Sequence, residues 1–238
     1  MEKLNDKIVL IVGATGGIGS AAAKQLHTSG AKVFITSRSA EKLNNLTIDL
    51  GLPKERGFIL DFEKEETISL AVDAILAKES KIDILINLAG VGIIKNFDLL
   101  TVEDMRRSMQ VNLIGPFLLL QSVLPSMKEQ KKGLIINIPG VLGKTPMAGA
   151  AAYSASKYGI NGMMKSLREE LKRTEIRITQ LFLGGVDSPF WDTIDLKVQR
   201  DKMIIAEEAG KTIWYLCQQP ANAVVSEMVI QPFNHQAI

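Results

Sequence analysis

Two kinds of segment alternate along the chain. Short apolar runs rich in β-branched residues fall at 8–12, 32–36, 57–60, 82–86, 134–138, 177–183 and 227–230. Longer stretches with helical spacing lie between them, at 20–29, 40–50, 65–78, 102–128, 154–173 and 206–218. Continuously apolar strands belong to a parallel sheet buried on both faces. The strand–helix alternation says the same, and right-handed crossovers leave few topologies. No linker, repeat or low-complexity tract divides the chain, so 1–238 reads as a single α/β domain. Segment 184–202 lacks periodicity. It follows a strand, on the side where open α/β sheets take ligands, and reads equally as a substrate-side lid or a surface insertion.

Composition narrows the function. The 28 basic and 26 acidic residues leave a net charge of +2, too balanced for a protein that binds nucleic acid by neutralising phosphates. Cys217 is the single cysteine, so no internal disulfide forms and a reducing compartment is expected. His27, His235 and Cys217 lack zinc-ligand spacing. The first apolar run stops at Val12, short of a signal peptide. No apolar run approaches the roughly 20 residues that span a bilayer. The expectation is a soluble cytoplasmic protein without nucleic-acid or membrane partners.

Candidate chemistry begins at Gly13-Ala14-Thr15-Gly16-Gly17-Ile18-Gly19, between the first strand and the first helix. Gly13 can turn sharply, Gly17 admits close approach of a ligand, and Gly19 lets helix pack on strand. Free N–H groups at the helix start would then face a pyrophosphate, although a glycine cluster alone also fits a flexible turn. The second strand ends at Thr36-Ser37-Arg38-Ser39, with no carboxylate to hold the ribose hydroxyls of NAD. Arg38 can pair with a 2′-phosphate instead, which favours NADP(H) over NAD(H), or it is a solvated surface arginine. Further on, Tyr153 and Lys157 stand four apart on one helix face. An ammonium beside a phenol lowers the phenol pKa and suits it to proton transfer. The same spacing fits a packed tyrosine beside a lysine stem.

Together these motifs resemble the short-chain dehydrogenase/reductase family over nearly the whole chain. The resemblance implies a doubly wound Rossmann fold with a seven-stranded parallel sheet and helices on both faces. It places Gly13, Thr15, Gly17, Ile18 and Gly19 in the cofactor turn, with Ser37 and Arg38 beside them. It puts Asp61 at the adenine with Phe62 next to it, and assigns Asn87, Ala89 and Gly90 to the motif after the fourth strand. Gly184, Val186 and Ser188 resemble the turn over the nicotinamide, Ser188 standing where a threonine usually holds the carboxamide. Tyr153 and Lys157 match the catalytic pair, and Asn112 matches the asparagine that supports a proton-relay water. The implied reaction is hydride transfer between nicotinamide and a carbonyl or alcohol carbon. The implied assembly is a homodimer or homotetramer through helices at 102–128 and 154–173, with Met163, Met164 and Leu167 as a compatible apolar stripe.

The sequence also departs from the family. The catalytic serine is expected thirteen residues before the tyrosine, where Gly140 stands, and the neighbouring position is Pro139. Removing one donor to a developing oxyanion costs about 10²–10³ in rate. Ser154 and Ser156 are expected to point away from the tyrosine, and Thr145 could substitute only if its loop folds inward. Leu88 and Leu183 replace an asparagine and a proline of the family pattern. Three readings follow: a slow enzyme, an enzyme whose substrate brings its own hydroxyl, or a non-catalytic nucleotide sensor or interaction protein. Retention of Asn112, Tyr153 and Lys157 favours activity. The expected substrate wall is apolar: Ile93, Ile94, Phe97, Val141, Leu142, Met147, Phe190, Trp191, Ile194 and Leu196. It suits a weakly polar carbonyl. The tail Val229-Ile230-Gln231-Pro232-Phe233 instead resembles tails of some NADP-dependent members acting on small hydroxy acids.

Overall fold

The computed structural model describes residues 1–234; His235 lies outside them. The first half winds through β1 (Ile8–Val12), α1 (Gly17–Thr28), β2 (Lys32–Ser37), α2 (Ala40–Asp49), β3 (Gly57–Ile59), α3 (Glu66–Glu79) and β4 (Ile84–Asn87). The second half follows as α4 (Val102–Met109), α5 (Gly115–Gln130), β5 (Lys132–Asn137), α6 (Ala151–Leu171) and β6 (Glu175–Leu183). It ends with β7 (Val186–Asp187), β8 (Ile204–Ile205), α7 (Ala206–Cys217) and β9 (Glu227–Ile230). Seven strands form one parallel sheet in the order β3-β2-β1-β4-β5-β6-β9. This is the doubly wound Rossmann architecture that the alternating pattern and the resemblance imply.

Period-two geometry explains why the strands read as unbroken apolar runs. Val9 and Ile11 enter the core beneath α1 and α7, while Ile8, Leu10 and Val12 enter the core beneath α3, α5 and α6. The chain reverses its winding between β1 and β4, and the crevice at that switch is where such sheets take ligands. Met164 is buried in the second core, with Met163 and Leu167 packed partly against it. Of the apolar stripe expected to face a partner, Met164 points inward while Met163 and Leu167 stay half-buried; Ile114 and Phe117 are exposed apolar residues on the preceding helical arm.

Three boundaries differ in ways that matter. The helix expected from residue 20 begins at Gly17, so the glycine turn supplies its first turn. The helix expected from 154 begins at Ala151, which puts Tyr153 inside its first turn. The helix expected over 102–128 contains a π-helical turn, Gln110–Ile114, between α4 and α5. Segment 184–202 is partly ordered by β7 and β8, which pair in parallel with each other.

Candidate active site

A cleft of about 1060 Å³ runs along the carboxyl ends of the strands, from Arg38 at one end to Phe190 and Trp191 at the other. Its floor is the turn after β1. Gly13 has φ +81°, and a Cβ there would lie 2.7 Å from the Ala89 nitrogen. A Cβ on Gly19 would run into the Gly13 carbonyl oxygen. Among the described residues no side chain caps α1. Residues 16–19 line the cleft, so the first-turn amides of α1 remain available to an anion. A diphosphate fits this cradle.

At the Arg38 end, Thr15 Oγ1 and Ser37 Oγ are 2.9 Å apart, and Ser37 Oγ accepts from the Ser39 N–H. Arg38 is mostly exposed and reaches Glu63 at a loose 3.9 Å. Glu63 also binds Arg107 at 3.1 Å; sequence reasoning missed it, because nothing links residues 38, 63 and 107 before folding. Asp61 lines the cleft, its Oδ1 accepting from the Glu63 N–H. Phe62 is buried with its ring packed on Gly115 while still bordering the cleft.

Asn87 stands one step back from the expected cofactor site. Leu88, Ala89 and Gly90 line the cleft, but Asn87 does not. Its Nδ2 donates to Asn137 Oδ1 at 3.2 Å, between β4 and β5. Its Oδ1 is buried without a hydrogen-bond partner among the described residues.

Tyr153 and Lys157 both line the cleft. Lys157 Nζ donates to the Ile138 carbonyl at 3.3 Å and lies 5.6 Å from the Tyr153 ring centroid. Burial lowers the Lys157 pKa to about 8 and pushes the Tyr153 phenol above its ordinary value. The expected lowering of the phenol pKa is thus absent from this arrangement: the ammonium stands over the ring, and desolvation dominates.

Asn112 sits behind this pair, buried in the π-helical turn, a kind of bulge common at functional sites. Its Oδ1 accepts from the Val91 N–H and its Nδ2 donates to the Val91 carbonyl, each at 2.9 Å. It does not line the cleft directly. A Cβ on Gly90 would lie 3.0 Å from Asn112 Oδ1 and 3.2 Å from Lys157 Nζ. The glycine therefore keeps open the space between them. Ser156, expected to point away, does leave the tyrosine ring, but its hydroxyl accepts from Asn112 Nδ2 at 3.0 Å and donates to the Tyr153 carbonyl at 2.7 Å. Ser108 joins the same buried cluster. A serine inside a helical pattern carries no sign of such a role.

Gly140 opens the opposite wall with φ +70° and ψ 169°, a backbone conformation almost confined to glycine. The nearest neighbour to a Cβ built there is the Leu183 carbonyl oxygen at 3.5 Å. Ile94, Val141, Leu142, Met147, Phe190, Trp191 and Leu196 line the cleft as expected. Ile93 and Ile194 are buried outside it, and Phe97 is 78% exposed at the surface. Phe190 packs on Gly92, 6.1 Å from the Tyr153 ring centroid, with Trp191 edge-on to it. Gly184, Val186 and Ser188 border the cleft, joined by Gly185 of the same turn, by Gln231 and Pro232 of the tail, and by Met203, which belonged to no motif.

Comparison with known proteins follows the same outline. A short chain dehydrogenase family model matches residues 7–199. An uncharacterized oxidoreductase of Staphylococcus epidermidis is 31% identical over 232 residues, covering 98% of this chain and 100% of its own. A metagenomic short-chain oxidoreductase solved with NADP is 29% identical, with TM-score 0.83 over 97% of this chain and 99% of its own. Serine dehydrogenase from Escherichia coli is 28% identical, with TM-score 0.84 over 96% of this chain and 99% of its own.

Proposed function

Because the chain belongs to the short-chain dehydrogenase family and is an oxidoreductase of that fold, we propose that it uses NADP(H) to interconvert a carbonyl and an alcohol. The observation that carries this reading is one continuous cleft joining Arg38, with no acid on the strand end beside it, to Tyr153 and Lys157. The relative solved with NADP supports the choice of cofactor. The first-turn amides of α1 would hold the diphosphate, Arg38 the 2′-phosphate, and Ser188 the carboxamide.

The bound nicotinamide supplies or accepts the hydride. The chain's own residues manage position and protons. Tyr153 holds a proton for the carbonyl oxygen, as a phenol does at neutral pH, and burial raises its pKa further. Lys157 would bind the ribose hydroxyls from beside the tyrosine, anchored on the Ile138 carbonyl. Asn112 and Gly90 leave room for a water that returns a proton to Lys157. Phe190 and Trp191 exclude solvent from the reacting end. Gly140 leaves the substrate oxygen with one donor fewer, a handicap of about 10²–10³ in rate.

The apolar wall supports a medium-sized, weakly polar carbonyl over the small hydroxy acid suggested by the tail and by the likeness to serine dehydrogenase. Exposed Ile114 and Phe117 support assembly into a homodimer or homotetramer. Among the described residues no helix is long and apolar enough to cross a membrane; the free, buried Cys217 suits the reducing cytoplasm. Gly140 is also the observation that favours a second reading, a nucleotide-binding sensor without chemistry.

The test is NADPH oxidation with a panel of ketones, aldehydes and diketones. Wild type should turn over at least one class, and Tyr153→Phe should lose turnover while keeping NADPH affinity. Equal turnover in the two proteins refutes the proton-donor role. NADPH binding without turnover anywhere in the panel favours the sensor.

A further inference from the structure

The outer wall of the cleft is a strap, residues 184–205, held by one arginine that the mechanism does not use. Arg200 Nε donates to Asp187 Oδ1 at 2.5 Å, Nη1 to Asp192 Oδ1 at 2.7 Å, and Nη2 to the Ser188 carbonyl at 3.0 Å. Three acceptors from a strand, a 3₁₀ turn and the residue between them thus converge on one planar fork. Lysine cannot reproduce that geometry. The two carboxylates hold the guanidinium firmly charged, Asp187 contributing most.

The residues so gathered are the ones that meet the rest of the cleft. Ser188 Cβ lies 2.9 Å from where a Cβ on Gly17 would stand, so the strap closes against the first turn of α1. Phe190, two residues on, packs on Gly92 and faces the Tyr153 ring. Trp191 donates its indole N–H to the Val186 carbonyl at 2.9 Å, tying the turn back to β7.

We propose that Arg200 is a positioning residue for cofactor binding: by clasping Asp187, Ser188 and Asp192 it sets Ser188 opposite Gly17 and Phe190 over Tyr153. It touches neither cofactor nor substrate in this role. The inference rests on the reading of the cleft as a nicotinamide site. An exposed ion pair is ordinarily worth little; here the fork joins three points of one strap, and its effect is read in the order of that strap.

The experiment compares wild type with Arg200→Gln, Arg200→Lys and Asp187→Asn in two measurements: NADPH titration by fluorescence, and acrylamide quenching of tryptophan. Trp191 lies in the strap, whereas Trp214 lies on α7 with its indole on Ser29. Arg200→Gln should weaken NADPH binding about five-fold or more and increase quenching. Arg200→Lys should behave alike, although it keeps the charge. Asp187→Asn should also weaken binding, although removing a negative charge would by itself favour an anionic ligand. Wild-type affinity in Arg200→Gln, recovery in Arg200→Lys, or tighter binding in Asp187→Asn overturns the proposal. Weaker binding without increased quenching overturns it too. If wild type binds neither NADPH nor NADH, the cofactor reading itself falls and takes this inference with it.

Discussion

Two glycine turns line the cleft, one after β1 and one after β5, and both hold a positive φ: Gly13 at +81° and Gly140 at +70°. Their surroundings differ. A Cβ on Gly13 would press on the main chain at Ala89, which cannot yield without moving β4. A Cβ on Gly140 would meet only the Leu183 carbonyl, at ordinary contact distance. Gly13 is thus required by conformation and by space, Gly140 by conformation alone. The first wall is closed to variation. The second has room where the family pattern puts a hydroxyl, but its backbone is shaped for a residue without a side chain.

The sharpest way to break this comparison is Gly13→Ala. It should weaken NADPH binding by at least ~100-fold, since a strained φ adds to the displacement of Ala89. Fluorescence titration and a melting curve check it, and wild-type affinity would show that the turn yields more easily than its packing implies. Next in size is the opposite end of the same wall. NADPH should bind at least about ten-fold tighter than NADH, a difference of about 1.4 kcal/mol. Arg38→Asp should erase or reverse that preference, as measured by paired titrations.

For the second wall, Gly140→Ala and Gly140→Ser should each lose about 1–3 kcal/mol of stability from the positive φ alone. Comparing them removes the strain from the question. Turnover about ten-fold faster in the serine variant than in the alanine variant, a part of what one oxyanion donor supplies, is the expected result. Equal rates would assign the handicap elsewhere. Adding Pro139→Ser to the serine variant tests whether Pro139 misdirects the new hydroxyl.

The smallest effect is on stability. The folded pKa of Lys157, about 8, lies below its ordinary 10.5. Between these values the unfolded chain binds more protons, so stability rises with pH across that window and the buried charge costs stability below it. Lys157→Met should therefore melt about 2–4 °C above wild type at neutral pH, after allowing for the lost bond to Ile138. The gain should fade toward pH 10.5. A melting point below wild type at pH 7 would contradict this sign.

Much of this was legible before folding, for identifiable reasons. The strands announced themselves because burial on both faces leaves no polar position in Ile8–Val12. The glycine turn and the Tyr153–Lys157 spacing were legible because their geometry is local. The contacts of Asn87 were not, since its direction depends on strand pairing with Asn137. The direction of Ser156 away from the tyrosine ring was legible, but its task was not, because the partner that gives it one, Asn112, lies 44 residues away. The direction of the Tyr153 pKa shift was not legible for a related reason: spacing reveals a neighbouring charge, but not that the ammonium stands over the ring while burial opposes ionisation.

The π-helical turn that carries Asn112 is, in register terms, an α-helix with one residue too many. Deleting a single residue between 110 and 114 would leave the segments on its two sides close to their present rotation, because a π-turn absorbs an extra residue within one wide turn, but it would close that turn to an ordinary α-helical one. A change that a secondary-structure measurement would scarcely notice would then remodel the wide turn that presents the Asn112 carboxamide to Val91. The irregular turn works as a local bracket, and its extra residue rather than its helicity holds Asn112 against Val91 behind the cleft.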